Sequence, residues 1–260
     1  MAATYWHKQN PEAPLWPDIQ WSRPEHKSQA GKLTIIGGNS HGIAAVSDAY
    51  QSAREAGVGQ LRLVLPASVK KNVPLAEEAV FVPTNPSGGL SRDGFNELRA
   101  AVAWADATLL IGDAGRNSET AGMFEELLTT TEARFVVTRD AVDLLSVNTA
   151  LLMERRDTCL VVSFAQLQKL LQKVYFPRHI LFSQPLMQIV DTLHKATITY
   201  PSLIVTYHQE HLIAAYSGEV VTMPFDNPMS IWRGHTATKA AVWWLQQPGK
   251  PLETVASSWL

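Results

Sequence analysis

Cysteine is almost missing from this 260-residue chain: Cys159 stands alone, which excludes an internal disulfide and a cysteine-based zinc site. A single cysteine inside a β-branched run is expected to pack as a small apolar side chain. Charge of one sign is equally scarce. The formal net charge of −2 gives no electrostatic reason for nucleic acid to be the main partner. Long hydrophobic runs are lacking too, the longest reaching about six residues where a spanning helix needs ~20, so no membrane partner is expected. The opening residues show no cationic-then-apolar pattern, and a soluble, cytoplasmic protein without a signal peptide is expected. Neither the dinucleotide fingerprint G-x-G-x-x-G nor the phosphate loop G-x-x-x-x-G-K-[ST] occurs.

What is present suits a sizeable core, with 46% apolar and 18% charged residues. Residues 1–31 differ from the rest. Trp6, Trp16 and Trp21 alternate there with Pro11, Pro14, Pro17 and Pro24, predicting an extended arm because proline removes donors and restricts its predecessor. Three tryptophans are costly to leave in water. Two readings stand open: an arm lying on its own domain, or one clasping a neighbouring subunit in a homo-oligomer.

From Lys32 to the C-terminus short β-branched runs alternate with helical patterns. Strands are expected at Leu33–Ile36, Leu61–Leu65, Ala79–Val82, Thr108–Ile111, Phe135–Val137, Leu160–Val162 and Ser202–Thr206. Helices are expected over His41–Ala56, Arg92–Trp104, Ser118–Thr130, Phe164–Leu171 and Pro185–Ala196, with Ser163 as an N-cap. Leu212–Tyr216 and Glu219–Met223 flank Ser217-Gly218 as a hairpin, and a helix after Gly234 closes the domain. This alternation predicts one α/β domain over residues 32–260, a mostly parallel sheet with helices on both faces.

Candidate site residues fall at strand ends, where open α/β sheets bind ligands. Gly37, Gly38 and Asn39 form either a structural tight turn or part of a pocket. Gly112, Asp113, Gly115, Arg116 and Asn117 are more telling, with glycines around an acid and polar residues opening a helix. Asp140 follows another strand and is either a helix cap or a functional acid. Gln166 is neutral and can hydrogen-bond a ligand without acting as a base. His208 and His211 face no matched third ligand, so no metal site is expected there. Trp243 and Trp244 read as core. Gly234 and His235 stand at a helix start, where free N–H groups and the macrodipole favour anions.

Together these strand-end motifs resemble the ADP/ATP-dependent NAD(P)H-hydrate dehydratases of the ribokinase-like superfamily, over about residues 32–250. Gly37-Gly38-Asn39-Ser40 is similar to that family's opening glycine turn. Leu110-Ile111-Gly112-Asp113-Ala114-Gly115-Arg116 resembles I-G-P-G-L-G-R, with Asp113 in place of proline. Thr138-Arg139-Asp140-Ala141-Val142 stands for D-A-D-A-L and keeps only the second acid. Ser163-Phe164-Ala165-Gln166-Leu167 stands where the family has H-P-G-E-F, and Tyr207-His208 near its Lys-Gly pair. Asn227-Pro228-Met229 is similar to N-P-G-M, while Gly234-His235 falls on the final Gly-Asp of G-G-T-G-D.

The resemblance implies a ribokinase-like three-layer α/β/α fold and a crevice for ADP or ATP and an NAD(P)H-type ligand, with Mg²⁺ if the chain is catalytic. Known members phosphorylate the hydroxyl of hydrated NAD(P)H, an aspartate taking the proton while backbone N–H groups hold the phosphoryl group. Here that aspartate is replaced by His235, which could act as a base near neutral pH. Trp232-Arg233 replaces small residues, and Arg233 could hold a phosphate electrostatically at a different place. Three outcomes are therefore expected to compete. The first is a nucleotide- or dinucleotide-binding protein with a degenerate active site. The second is an active dehydratase (a lyase) or small-molecule kinase using Asp113 or Asp140. The third is a non-catalytic homo-oligomeric scaffold.

Overall fold

The computed structural model describes residues 4–73 and 78–260. Its sheet forms from the β-branched runs, because period-two side chains that are apolar on both faces are satisfied only when helices cover both sides. Leu33 and Ile35 of β2 (Lys32–Gly37) enter one core, and Ile36 enters the other. The same alternation runs through β3 (Gln60–Pro66), β5 (Ala107–Gly112), β6 (Phe135–Thr138), β7 (Thr158–Val161) and β8 (Leu203–His208). Cys159 of β7 is fully buried, and burial pushes its thiol pKa up, so it stays a protonated, inert core group.

Ten strands make one sheet in the order β1-β10-β9-β8-β7-β6-β5-β2-β3-β4, where β1 is Trp6–Lys8, β4 Ala79–Val82, β9 His211–Tyr216 and β10 Glu219–Pro224. Among these strands β9 alone runs against the rest. The Ser217-Gly218 hairpin is present, both residues at positive φ. A second hairpin joins β8 to β9 through Gln209 and Glu210, also at positive φ.

Helices layer each face. α3 (Phe95–Trp104), α4 (Ser118–Thr130), α5 (Asp140–Leu145), α6 (Thr149–Glu154), α7 (Phe164–Lys173) and α8 (Leu186–Thr199) bury their apolar stripes on one side. α2 (Ala44–Glu55), α9 (Met229–Arg233), α10 (His235–Gln246) and α11 (Pro251–Ser257) cover the other, with Trp244 buried in that core. The expected three-layer α/β/α architecture is what forms. α2 begins three residues later than the pattern predicts, because Asn39 and Gly42 close a turn on each other first. Among the described residues no helix is long and apolar enough to cross a membrane.

The tryptophan/proline arm joins this sheet, apart from residues 1–3, which lie outside the described residues. β1 pairs parallel to β10, Trp6 opposite Val220, and the Trp6 indole N–H donates to Thr222 Oγ1 at 2.8 Å. The chain then crosses to the far face, where α1 (Pro17–Trp21) meets α11 and Lys250 reaches Asp18. Arg23 anchors the return to β2. Its guanidinium stacks 4.2 Å from the Trp243 ring centroid and donates to the Ala56 carbonyl and Gln246. All these contacts lie within one chain, although Trp21 stays 87% exposed. Replacing Arg23 removes a half-buried cation–π contact and two hydrogen bonds. Arg23→Ala should lower the unfolding free energy by about 1–3 kcal/mol, measured by urea denaturation; a loss below about 0.5 kcal/mol would mean the arm is not anchored there.

Candidate functional site

Parallel register brings the carboxyl ends of β2, β5, β6 and β7 to one edge, so four loops meet there. Gly38 N–H donates to the Gly112 carbonyl at 2.9 Å, tying the first loop to the second. Gly112 sits at φ +100°, and a Cβ there would lie 1.9 Å from Asp140 Oδ1. That close approach has a purpose. The Asp140 carboxylate accepts from Asp113 N–H at 2.8 Å and from Ala114 N–H at 3.2 Å, gripping the turn after β5 with both oxygens. Burial raises the Asp140 pKa, the N–H bonds oppose it, the Asp113 charge adds to the rise and Arg139 counters it; the net result is upward.

Asp113 is equally engaged. One carboxylate oxygen accepts Ala45 N–H at 2.8 Å, at the start of α2, and the other takes the Arg139 guanidinium at 2.9 Å. The α2 N-terminus thus holds an internal anion. Asn39 donates its side-chain amide to the Asp113 carbonyl and accepts His41 N–H at 2.7 Å. Arg139, at φ +56°, also donates to the Trp232 carbonyl, and its Nε is buried without a partner. The Arg139 carbonyl in turn accepts from Gln166 at 2.8 Å, while Gln166 Oε1 completes a capping box with Ser163.

The start of α10 completes the edge. Gly234 adopts a left-handed conformation at φ +88°, and an added Cβ would meet Ile111 Cδ1 at 2.4 Å and Arg139 Cδ at 3.6 Å. Arg139 therefore lies across the helix start. His235, read from sequence as a base, points elsewhere: its Nδ1 is 2.5 Å from Ser52 Oγ on α2, and it does not line the crevice. Arg233 and Arg116 are exposed and stand outside the crevice wall, as do Gly37, Gly38, Asn39, Gly115 and Gly234. Asn117 caps α4, accepting Glu119 N–H at 2.7 Å, and holds Ser87 at 2.8 Å.

What remains is a crevice of about 500 Å³ between β6, β7, α7 and α9. Asp113, Asp140 and Gln166 line it as sequence-identified residues, joined by Arg139, Asp143, Lys169 and Trp232. Asp143 and Lys169 lie three residues beyond Asp140 and Gln166 on their helices, a spacing that places them on one face. Helical periodicity from those two candidates is the signal that could have found them. Trp232, 55% exposed, forms an aromatic wall. The protein groups here form no ready-made cage for a divalent cation. Among the described residues no cluster of His, Cys, Asp or Glu could hold a metal, and both Asp113 and Asp140 spend their oxygens on N–H donors.

No family model matches the chain. A solved ribokinase-like superfamily protein from Enterococcus faecalis V583 superposes with a TM-score of 0.72 at 16% identity, covering 99% of this chain and 86% of that one. The fold is ribokinase-like. The ADP/ATP-dependent NAD(P)H-hydrate dehydratase of Bacillus subtilis, co-crystallised with ATP/Mg²⁺, shares this ribokinase-like fold at a TM-score of 0.61, 13% identity and coverage of 96% and 87%. The hydroxyethylthiazole kinase of Pyrococcus horikoshii gives a TM-score of 0.57 at 9% identity, covering 93% of this chain and 80% of that one. Among curated proteins, the bifunctional NAD(P)H-hydrate repair enzyme Nnr of Moorella thermoacetica is 27% identical over 130 residues, 49% of this chain. The match spans 24% of that relative's length. These likenesses show the fold and, over about half of this chain, a sequence similarity to part of an NAD(P)H-hydrate repair enzyme.

Two measurements check this geometry. Gly112→Ala forces a Cβ onto Asp140 and should cost at least about 2 kcal/mol by urea unfolding; a neutral substitution would mean the clamp is loose. The Asp140 carboxyl should titrate above its ordinary value of 3.8 in ¹³C NMR. With the folded pKa above the unfolded one, the native state binds more protons in that window, so stability falls as pH rises through it. Asp140→Asn should flatten that slope; an unchanged slope assigns it to other groups.

Proposed function

We propose that this chain binds a phosphate-bearing nucleotide or dinucleotide in the strand-end crevice and does not run the dehydratase reaction. One observation carries the reading: Asp113 and Asp140, the acids the sequence offers in the crevice, are engaged by the protein's own N–H and guanidinium donors, and Asp143 beside them accepts from Gln166. A general base must reach the proton it removes, directly or through one water. Asp140 holds two N–H groups, Asp113 holds Ala45 N–H and Arg139, and His235 faces Ser52. No acid stands at the start of α10, where the sequence offers Gly234 and His235.

Binding chemistry survives where proton chemistry does not. The Arg139 guanidinium and the exposed Lys169 ammonium face the crevice, and a planar guanidinium suits phosphate oxygens. Trp232 offers a flat apolar wall for a base. Magnesium finds no protein cage here; a divalent ion would arrive on the ligand's own phosphates. A second reading rests on the raised pKa of Asp140, a property shared by catalytic carboxyl groups. It assigns Asp140 as a non-standard base in an active dehydratase or kinase.

The test is a thermal titration with ADP, ATP and NADH, followed by a phosphate-release assay on hydrated NADH with ATP. A ligand about 100-fold above its Kd should stabilise the fold by about 2.7 kcal/mol. Lys169→Glu should weaken that binding by about tenfold by reversing the local charge. No phosphate should be released above the nucleotide-free blank. Release abolished by Asp140→Asn would establish the active reading, and a protein unmoved by all three ligands would favour a scaffold.

A further inference from the structure

The molecule holds a second pocket, larger than the crevice. A pocket of about 740 Å³ opens beside β1, the lateral strand of the sheet, between it, the segment leading into α8 and the first turns of α8, and it shares no lining residue with the crevice. Its volume falls in the range of small-molecule sites. The wall is apolar. Val190 is buried at its base, Met187 stands 64% exposed at its lip, and Trp6 forms one side. Because the Trp6 indole N–H is spent on Thr222, the ring offers the pocket only apolar surface. The Tyr5 ring is fixed by stacking on His194, centroids 3.7 Å apart and planes 11° from parallel.

Charge at the rim is unbalanced. Asp191 is the acid of the pocket, and it is saturated: Lys195 reaches it at 3.1 Å, Arg178 pairs with the same oxygen, and Tyr5 O–H donates to the other at 3.2 Å. Burial would raise the Asp191 pKa, but Lys195 and Arg178 outweigh it and hold the carboxyl ionised. Two cations thus share one carboxylate. Lys8 adds a third, its Nζ 5.0 Å from the Trp6 ring centroid. A cationic guest meets repulsion, and a neutral one leaves the excess charge unpaired.

We propose that this pocket is a second binding site, for a planar aromatic carboxylate whose ring lies against Trp6 and Met187 and whose anionic group meets Lys8 and Arg178. Arg178 keeps guanidinium donors beyond the one it gives Asp191, and Lys8 has no carboxylate partner among the described residues. The flexible thioether of Met187 adapts to an aromatic face.

The experiment titrates ¹⁵N-labelled full-length protein with 1-naphthoate, with 1-naphthamide as neutral and 1-naphthylmethylamine as cationic control. The Trp6 indole N–H, assigned with Trp6→Phe, is the reporter. Naphthoate should shift that signal and bind at least about tenfold tighter than the amide, with the amine weaker still. Lys8→Glu and Met187→Glu, both at exposed positions, should each weaken naphthoate by about five- to tenfold and leave the melting temperature unchanged. Equal affinity for acid and amide overturns the proposal, as does binding indifferent to both substitutions. A dimer that forms without naphthoate binding and is broken by Met187→Glu also overturns it, assigning the pocket to a second copy of the chain. Nucleotide binding in the crevice, measured separately, is unaffected by either outcome.

Discussion

One buried carboxylate organises the carboxyl edge of this sheet. Asp140 opens α5 and reaches across to β5, where its two oxygens take the N–H groups of Asp113 and Ala114. Backbone donors in a tight turn point the same way and need an acceptor once water is excluded. With Asp140 filling that need, Gly112 must be a glycine, because any side chain would occupy the space of the carboxylate. The turn then presents Asp113 to Ala45 N–H and to Arg139, and Arg139 to the Trp232 carbonyl ahead of Gly234. Four loops distant in sequence are joined by one chain of hydrogen bonds.

Much of the architecture is legible in the sequence because its signals are local. β-branched runs with helical patterns between them report a two-sided sheet, and Ser217-Gly218 reports its hairpin. The β8–β9 hairpin is not readable this way: Gln209 and Glu210 take positive φ without the Gly, Asn or Asp that normally marks such a turn. There the antiparallel pairing of β8 with β9 holds two unfavourable backbone conformations. α5 and α6 are short, six residues each, and too brief for periodicity to register. The arm is only partly legible: proline spacing predicts extension, but Pro17–Trp21 forms a short helix with Pro17 in its first turn, where the missing N–H is tolerated, and the spacing does not say which surface receives the arm.

The candidate site was legible as a location and only partly as chemistry. Strand ends with glycine and acid clusters point to one edge, and Asp113, Asp140 and Gln166 line a crevice there. Direction is what sequence does not carry. Gly234-His235 sits where the pattern puts it, yet the imidazole turns to Ser52 because α10 packs against α2. Asn117 and Gln166 were read as ligand contacts, and each is bound into a helix cap. Capping and ligand binding use the same side chains at the same helix ends. Only three-dimensional contacts separate the two uses.

Internal pairing also determines what occupancy of the crevice requires. An empty phosphate site normally leaves converging N–H groups and cations without partners. In this chain Asp113 stands at the α2 N-terminus as a resident anion, and Arg139 covers the α10 start as a resident cation. A phosphate entering the crevice meets a guanidinium already paired with Asp113 and the Trp232 carbonyl, and drawing Arg139 away would leave Asp113 its Ala45 N–H but not its counter-charge. Part-buried ion pairs lose more when one partner departs than they contribute when intact. An incoming anion is therefore best served by the guanidinium N–H groups that Asp113 leaves, with Lys169 offsetting the charge it brings. On the binding proposed above, such a site is held together without its ligand and favours one whose negative charge can share Arg139.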